Sequence, residues 1–364
     1  MSLRILYEGA VRKYREDGFS SLISSGYYYA IAKVVQHSPT FAGIFAPKVT
    51  LVAIEPTNVC NLRCRVCYSQ NPVLQTPRQR GFMELETYKR IIDELSTYGY
   101  TIELWLGFAG EPLLHRNFLD MVDYAASKGV FRIGFDTNGM LLNDNLARAL
   151  INKVDTIGIS LDGLGKVNDS IRLGADYEVI RRNILDLVEK RGDRRRPQIR
   201  INLVRSTQSE KDILEFLRFW TGIVDCVWGL PWFSEDLRAV NPVFSDEAPT
   251  KEDKVCTYPF YYLAVLWNGD VVPCCIDLSG VNILGNASKD TIANIWRGKP
   301  YRALRRAAAR GTFSPQSRCH HCERASAPAG FAFRLSKNGV PTLIHARVFG
   351  LSDRGGPKRP DSHC

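Results

Sequence analysis

The chain has few histidines, no long apolar run and no segment resembling a leader. Only six histidines occur in 364 residues, and none lies near the first group of cysteines. A zinc site with mixed Cys and His ligands is therefore not read there. No stretch reaches the roughly 20 consecutive apolar residues that a bilayer-spanning helix needs. The first residues, Met1 to Glu8, lack the apolar core and cleavage site of a secretory signal. A cytoplasmic, reducing setting is expected, where thiols serve as metal ligands more often than as disulfides. There is no internal repeat and no recognisable nucleic-acid module, so nucleic acid is not an expected partner despite a net charge of +10.

The basic residues bunch at 190–200, 297–310 and 347–359. They read as solvated surfaces or as attraction for an anionic partner. The apolar, aromatic segment Phe19–Val35 has Lys33 as its only charge. It reads either as a helix packed on the main domain or as an interfacial helix anchored by Tyr27, Tyr28 and Tyr29, which would make the protein peripheral at a membrane.

What the chain does have is cysteine, ten in all. Cys60, Cys64 and Cys67 follow the apolar run Leu51–Ile54 in a C-x3-C-x2-C pattern. Iron–sulfur clusters are held by thiolates in such short runs. Three thiolates from one loop hold three irons of a cubane cluster and leave the fourth open to a small molecule.

From Leu51 to Trp228, β-branched runs alternate with helical patterns. Strands are expected at Leu51–Ile54, Thr101–Leu106, Phe131–Asp136, Thr156–Leu161, Ile199–Val204 and Val224–Trp228. Helices are expected at Glu84–Thr97, Asn117–Lys128, Asn143–Asn152, Tyr177–Lys190 and Glu210–Thr221. Alternation of this kind means an α/β fold with a parallel sheet, whose ligands sit at the C-terminal strand ends. The cysteine loop lies at such an end.

On these residues the chain resembles the radical S-adenosylmethionine (SAM) superfamily, over about Thr50 to Ala325. The resemblance implies a partial (β/α)6 barrel. It also implies a [4Fe-4S] cluster whose open iron chelates SAM, and one-electron cleavage of SAM to a 5′-deoxyadenosyl radical. Gly110 and Glu111, in a motif with Ala109 where the family has its first glycine, correspond to the contact with SAM's amino group. Asn138 would face the cofactor, and Ser160 and Arg172 would hold the ribose and carboxylate. Asn202 occupies a strand position that often faces SAM.

The C-terminal part carries Cys256, then Cys274 just after a hairpin signalled by Asn268 and Gly269. A helix follows over Thr291 to Arg310, then Cys319 and Cys322. Four thiols of this kind could close on zinc. Their order resembles the SPASM/twitch extension of radical SAM enzymes, a small α+β module, and implies one auxiliary [4Fe-4S] cluster. Cys226 reads as core, Cys275 as an alternative ligand and Cys364 as part of a flexible tail.

The expected organisation is an N-terminal helical segment at 1–49, the barrel at 50–230, the auxiliary module at 231–325 and an extension at 326–364. The expected function is that of a radical SAM oxidoreductase acting on a small molecule and oxidising a carbohydrate-like alcohol, with Glu235 or Asp236 as base. A peptide maturase and an enzyme of lipid or lipid-linked substrates are the alternatives. An electron donor such as flavodoxin or ferredoxin is the implied partner.

Overall fold

The computed structural model describes residues 46–67, 69–70, 78–204, 212–230 and 258–320, single residues at 38, 209, 256 and 322, and the backbone of two further strands at 331–335 and 341–346. Phe19–Val35, Glu235, Asp236 and the tail after Phe349 lie outside these residues. Among the described residues no helix is long and apolar enough to cross a membrane.

Six parallel strands appear where the alternation places them: β1 (Leu51–Ile54), β2 (Ile102–Leu106), β3 (Phe131–Thr137), β4 (Thr156–Ser160), β5 (Gln198–Val204) and β6 (Cys226–Leu230). The helices between them are α1 (Leu85–Ser96), α2 (Phe118–Ser127), α3 (Asp144–Leu150), α4 (Lys166–Ile171), α5 (Tyr177–Arg191) and α6 (Ile213–Trp220). The short α4 had no counterpart in the expected elements. On α1, Tyr88, Ile91, Ile92 and Leu95 are buried, the spacing of a helix stripe laid on a sheet. The Asp176 carboxylate caps α5 by accepting from Glu178 N and Val179 N at 3.0 and 3.2 Å.

The sheet has two unlike faces. Val52, Ile54, Leu104, Leu106, Ile133, Phe135, Ile157, Ile159, Ile199 and Ile201 pack against the helices in one apolar core. Each such side chain contributes about 1.5–3 kcal/mol on burial. The opposite, inner face carries Trp105, Gly134, Asp136, Gly158, Ser160, Arg200 and Asn202 at the alternate positions.

The C-terminal module extends this sheet. Strand β7 (Tyr262–Val265) lies parallel to β1, with Leu51 opposite Tyr262 and Ile54 opposite Val265. Strands β8 (Asp270–Val272) and β9 (Gly285–Asn286) follow antiparallel. At the other edge, β10 (Phe331–Leu335) pairs antiparallel with β6, and β11 (Pro341–Ala346) with β10. The result is one eleven-stranded sheet.

The single helix expected over Thr291 to Arg310 is two: α7 (Ile292–Arg297) and α8 (Lys299–Arg310). Gly298 is extended, with φ −67° and ψ 166°, and ends one helix while starting the next. Pro300 explains the break, since it has no N–H to bond back into the preceding turn.

A buried ion pair joins barrel and module. Glu55, fully buried, accepts from Arg78 Nη1 at 3.1 Å and from Trp267 N at 3.1 Å, and Arg78 Nη1 donates to Leu278 O at 2.8 Å. Glu55→Ala would leave Arg78, whose side chain is only 10% exposed, without its carboxylate and should cost roughly 3–5 kcal/mol. Urea denaturation of the metal-free protein checks this. An Arg78→Ala, Glu55→Ala double variant should lose less than the two singles added together.

Candidate functional site

The cysteine loop after β1 is fixed on three sides. Asn58 Nδ2 donates to Gln79 O at 2.7 Å, and Gly81 N returns to Asn58 Oδ1 at 2.9 Å. Gln70 Nε2 donates to Asn58 O at 3.0 Å. On the far side, Arg63 N and Arg65 N donate to Leu173 O and Ile171 O at 2.9 and 2.8 Å. The stretch 171–173 thus runs beside the cysteines, as a short ladder would.

Cys64 is buried, while Cys60 and Cys67 are half-buried. Burial raises all three thiols, Cys64 to about 12, and their mutual repulsion adds to the rise at Cys60 and Cys64. The charge of Arg172 acts in the opposite sense on Cys64 and Cys67. Three crowded thiols that resist ionisation alone are stable as thiolates when iron replaces their protons, so the donor set fits a cluster.

Gly110 is the residue that admits this loop. A Cβ there would stand 2.4 Å from Thr57 O and 2.5 Å from Val59 O. The next residue, Glu111, donates its N–H to Val59 O at 2.9 Å. Its side chain is buried and accepts from Thr137 Oγ1 and Asn138 N, each at 2.7 Å, and from Leu113 N at 3.2 Å. Burial lifts its pKa to about 7 against these three hydrogen bonds. Asn138 Nδ2 then donates to Asn61 Oδ1 at 2.7 Å, inside the cysteine loop. Gly110, Glu111, Asn138 and Cys60 therefore form one connected unit.

Arg172 is buried with its Nε 2.8 Å from Asp162 Oδ2; the approach is an ion pair without hydrogen-bond alignment. Asp162, two residues past Ser160, was not among the expected site residues. Its position directly after a strand end was the available signal. Ser160, half-buried, stands opposite Asn202 in the β4–β5 register.

Asn202 is not free to face a ligand alone, because its Nδ2 donates to Asp136 Oδ1. Asp136 gathers more: Arg200 Nη2 at 3.2 Å and Trp105 Nε1 at 2.9 Å. The Arg200 guanidinium lies 4.7 Å from the Trp105 ring centre and 5.1 Å from that of Trp228. Two glycines make the room. A Cβ at Gly134 would meet Trp105 at 2.2 Å, and one at Gly158 would meet Asp136 Oδ1 at 2.0 Å. The Asp136 side chain keeps 39% of its surface exposed. Arg200 and Trp105 also escaped the sequence reading, although strand alternation puts them on the inner face.

The second cysteine group lies at the other end of β1. Val272 stands opposite Ala264, so the chain reaches Cys274 at the level of Tyr262, which pairs with Leu51 at the start of β1. The first group leaves from the end of β1. Cys274 is buried, and Cys256, Cys319 and Cys322 are half-buried. Burial raises Cys274 strongly, with the charges of Cys275, Cys256 and Cys322 adding to it; burial lifts Cys319 to about 11. Among the described residues no three Cys, His, Asp or Glu side chains converge on a single metal ion. The all-thiol donor set around Cys274 is the kind that holds an iron–sulfur cluster.

Comparison with known proteins agrees with this geometry. Residues 54–219 match the model of the radical SAM superfamily, and residues 256–323 match that of the SPASM iron-sulfur cluster-binding domain. A tungsten-containing aldehyde ferredoxin oxidoreductase cofactor-modifying protein from Pyrococcus furiosus is 26% identical over 68% of this chain and 81% of its own length. A GTP 3′,8-cyclase from Synechocystis is 27% identical over 50% of this chain, which spans 55% of that enzyme. Among solved structures, Streptococcus suis SuiB bound to S-adenosylmethionine shares the fold at 19% identity and a TM-score of 0.56, covering 80% of this chain and 73% of its own. The chain belongs to the radical SAM superfamily and carries a SPASM-type auxiliary-cluster domain. Its cofactors are a SAM-binding [4Fe-4S] cluster and auxiliary iron–sulfur.

Two outcomes are expected from this site. Anaerobic reconstitution should yield about eight irons and eight sulfides per chain, and replacing Cys60, Cys64 and Cys67 with alanine should leave about four; iron and sulfide analysis reads both. The second concerns Glu111. Its folded pKa of about 7 lies above that of the unfolded chain, so the folded state holds a proton that the unfolded state has released. The stability this adds is full at acid pH and declines as pH rises towards and through 7. Urea midpoints of the metal-free protein should fall between pH 5 and pH 8, and fall less in Glu111→Gln.

Proposed function

We propose that this radical SAM enzyme is an oxidoreductase that converts a secondary alcohol of a small, carbohydrate-like molecule to a ketone. The observation that carries the reading is the inner-face group Asp136, Arg200 and Asn202, set between two cysteine groups at opposite ends of β1. A hydroxyl both donates and accepts. A carboxylate beside a guanidinium and an amide offers both partners to neighbouring hydroxyls of one ring. The Pyrococcus relative is described as modifying a cofactor, and the Synechocystis relative as a cyclase of GTP. Both descriptions concern small molecules and support the same class here.

When bound, the cofactors supply one-electron chemistry: a deoxyadenosyl radical that takes hydrogen from carbon, an acceptor for the second electron, and a link to a donor such as flavodoxin or ferredoxin. The chain's residues do the rest. Arg172, Ser160, Glu111 and Asn138, with Gly110, would hold SAM, and Asn202 steadies the carboxylate of Asp136. Asp136 accepts the hydroxyl proton as the carbon is oxidised. Its hydrogen bonds to Trp105 and Arg200 hold it aimed. Glu235 and Asp236 are the other candidates for that proton.

The test uses deuterated polyols, inositols and glycosides under reducing, anaerobic conditions with SAM. A true substrate should pass deuterium to 5′-deoxyadenosine and yield a ketone. Deuterium transfer from a peptide or lipid-linked compound, with none from any hydroxylated ring, would overturn the reading. With the substrate in hand, Asp136→Asn should lower ketone formation by about 10²–10⁴-fold while SAM cleavage persists. Loss of that size in Glu235→Gln or Asp236→Asn instead would move the base to the segment after β6.

A further inference from the structure

Among the described residues, a fully buried cation of the C-terminal module has no anion beside it. Arg305, on α8, has no exposed surface. Its Nε donates to Pro259 O at 2.9 Å. Its guanidinium lies 4.3 Å from the Trp296 ring centre and 5.2 Å from that of Tyr301. Among the described residues, its two buried terminal nitrogens, Nη1 and Nη2, have no hydrogen-bond partner, and the buried hydroxyl of Tyr301, one turn earlier, has none either. Aromatic rings stabilise the charge but leave the N–H donors unmet. Buried donors left unpaired in a folded protein mark a missing partner.

The location identifies the partner. Pro259 follows Cys256 by three residues, and the ring of its neighbour Tyr258 lies 5.4 Å from that of Tyr262, the residue level with Cys274. Arg305 and Tyr301, one turn apart on α8, are thereby tied to the segment that joins two of the thiols assigned to the auxiliary cluster. A four-iron cluster with four thiolates carries net negative charge, and reduction adds one more electron. We propose that Arg305 and Tyr301 face this cluster and compensate its charge, so that Arg305 raises its reduction potential and fits it to accept an electron. The proposal rests on the assignment of Cys256, Cys274, Cys319 and Cys322 to one iron–sulfur cluster. Net charge and hydrogen bonds to sulfur are the protein's main levers on such potentials, and a cation acts strongly where water is excluded.

The test uses the Cys60/Cys64/Cys67→Ala protein, which isolates the auxiliary site, in a redox titration followed by electron paramagnetic resonance. In that background Arg305→Met should shift the potential downward, lowering the reduced-to-oxidised ratio at a fixed potential at least tenfold, about 59 mV for a one-electron couple. Arg305→Lys should recover most of the shift, and Tyr301→Phe should move it a smaller amount in the same direction. An unchanged potential in Arg305→Met with full iron would overturn the proposal. A lowered urea midpoint accompanying it would mark Arg305 as a partner of some carboxylate of the chain instead. If Arg305→Met loses its iron, Tyr301→Phe decides, and an unchanged potential there overturns the idea. Zinc, or no iron, in the parent triple variant would instead sink the cluster assignment, independently of Arg305.

Discussion

At Gly110 the strand-end turn after β2 lies flat against the backbone of the cysteine loop, leaving no room for a Cβ between them. That contact governs the site. It lets Glu111 N reach Val59 O, and it places the Glu111 carboxylate where Thr137 and Asn138 can donate to it. Three consecutive strand ends, β1, β2 and β3, are thereby locked to one another by hydrogen bonds around a buried carboxyl group. A cluster-binding loop must hold several thiols close together against their mutual repulsion. Here the rigidity comes from neighbouring loops rather than from the loop's own sequence.

The same sheet divides its labour by face. The face towards the helices is apolar and makes the fold; the inner face is polar and makes the site. Glycine is what allows the second. Gly134 yields its side-chain volume to Trp105, and Gly158 yields its own to Asp136, Asn202 and Arg200. Larger residues at either position would push apart groups that must meet. Binding energy and folding energy are thus drawn from opposite sides of the same strands, so polar residues accumulate on the inner face without disturbing the apolar core.

Local patterns read well in the sequence because they are local. The period-two runs gave all six parallel strands within two residues, and thiol spacing marked Cys60, Cys64 and Cys67 as candidate ligands of the first cluster. What escaped depended on distance. Asp136 and Arg200 are 64 residues apart, and only the β3–β4–β5 register brings them together. Glu111, expected at SAM's amino group, also holds the backbone donors of residues 113 and 138 with its carboxylate. No residue type distinguishes the two uses. The hairpin β10–β11 did carry a signal: Asn338 and Gly339 stand between two β-prone runs. It was overshadowed by the polar tail that follows. The break at Gly298 was likewise written in Pro300, where helical periodicity on both sides masked it.

The continuity of the sheet has a mechanistic consequence. A separate module on a linker would let the two metal sites drift relative to each other. Strand β7 instead pairs with β1 along its whole length, and Glu55 ties the end of β1 to Trp267. The strand that launches the first cysteine group is therefore flanked by the strand pair that delivers Cys274. The separation of the two sites is set by the length of a few strand residues, a rigid quantity at about 3.3 Å per residue. Electron transfer depends steeply on distance, and on the proposed reading one continuous sheet would hold the distance between substrate and acceptor constant while the substrate is exchanged. A rigid sheet with the polar face inward thus serves as both scaffold and spacer.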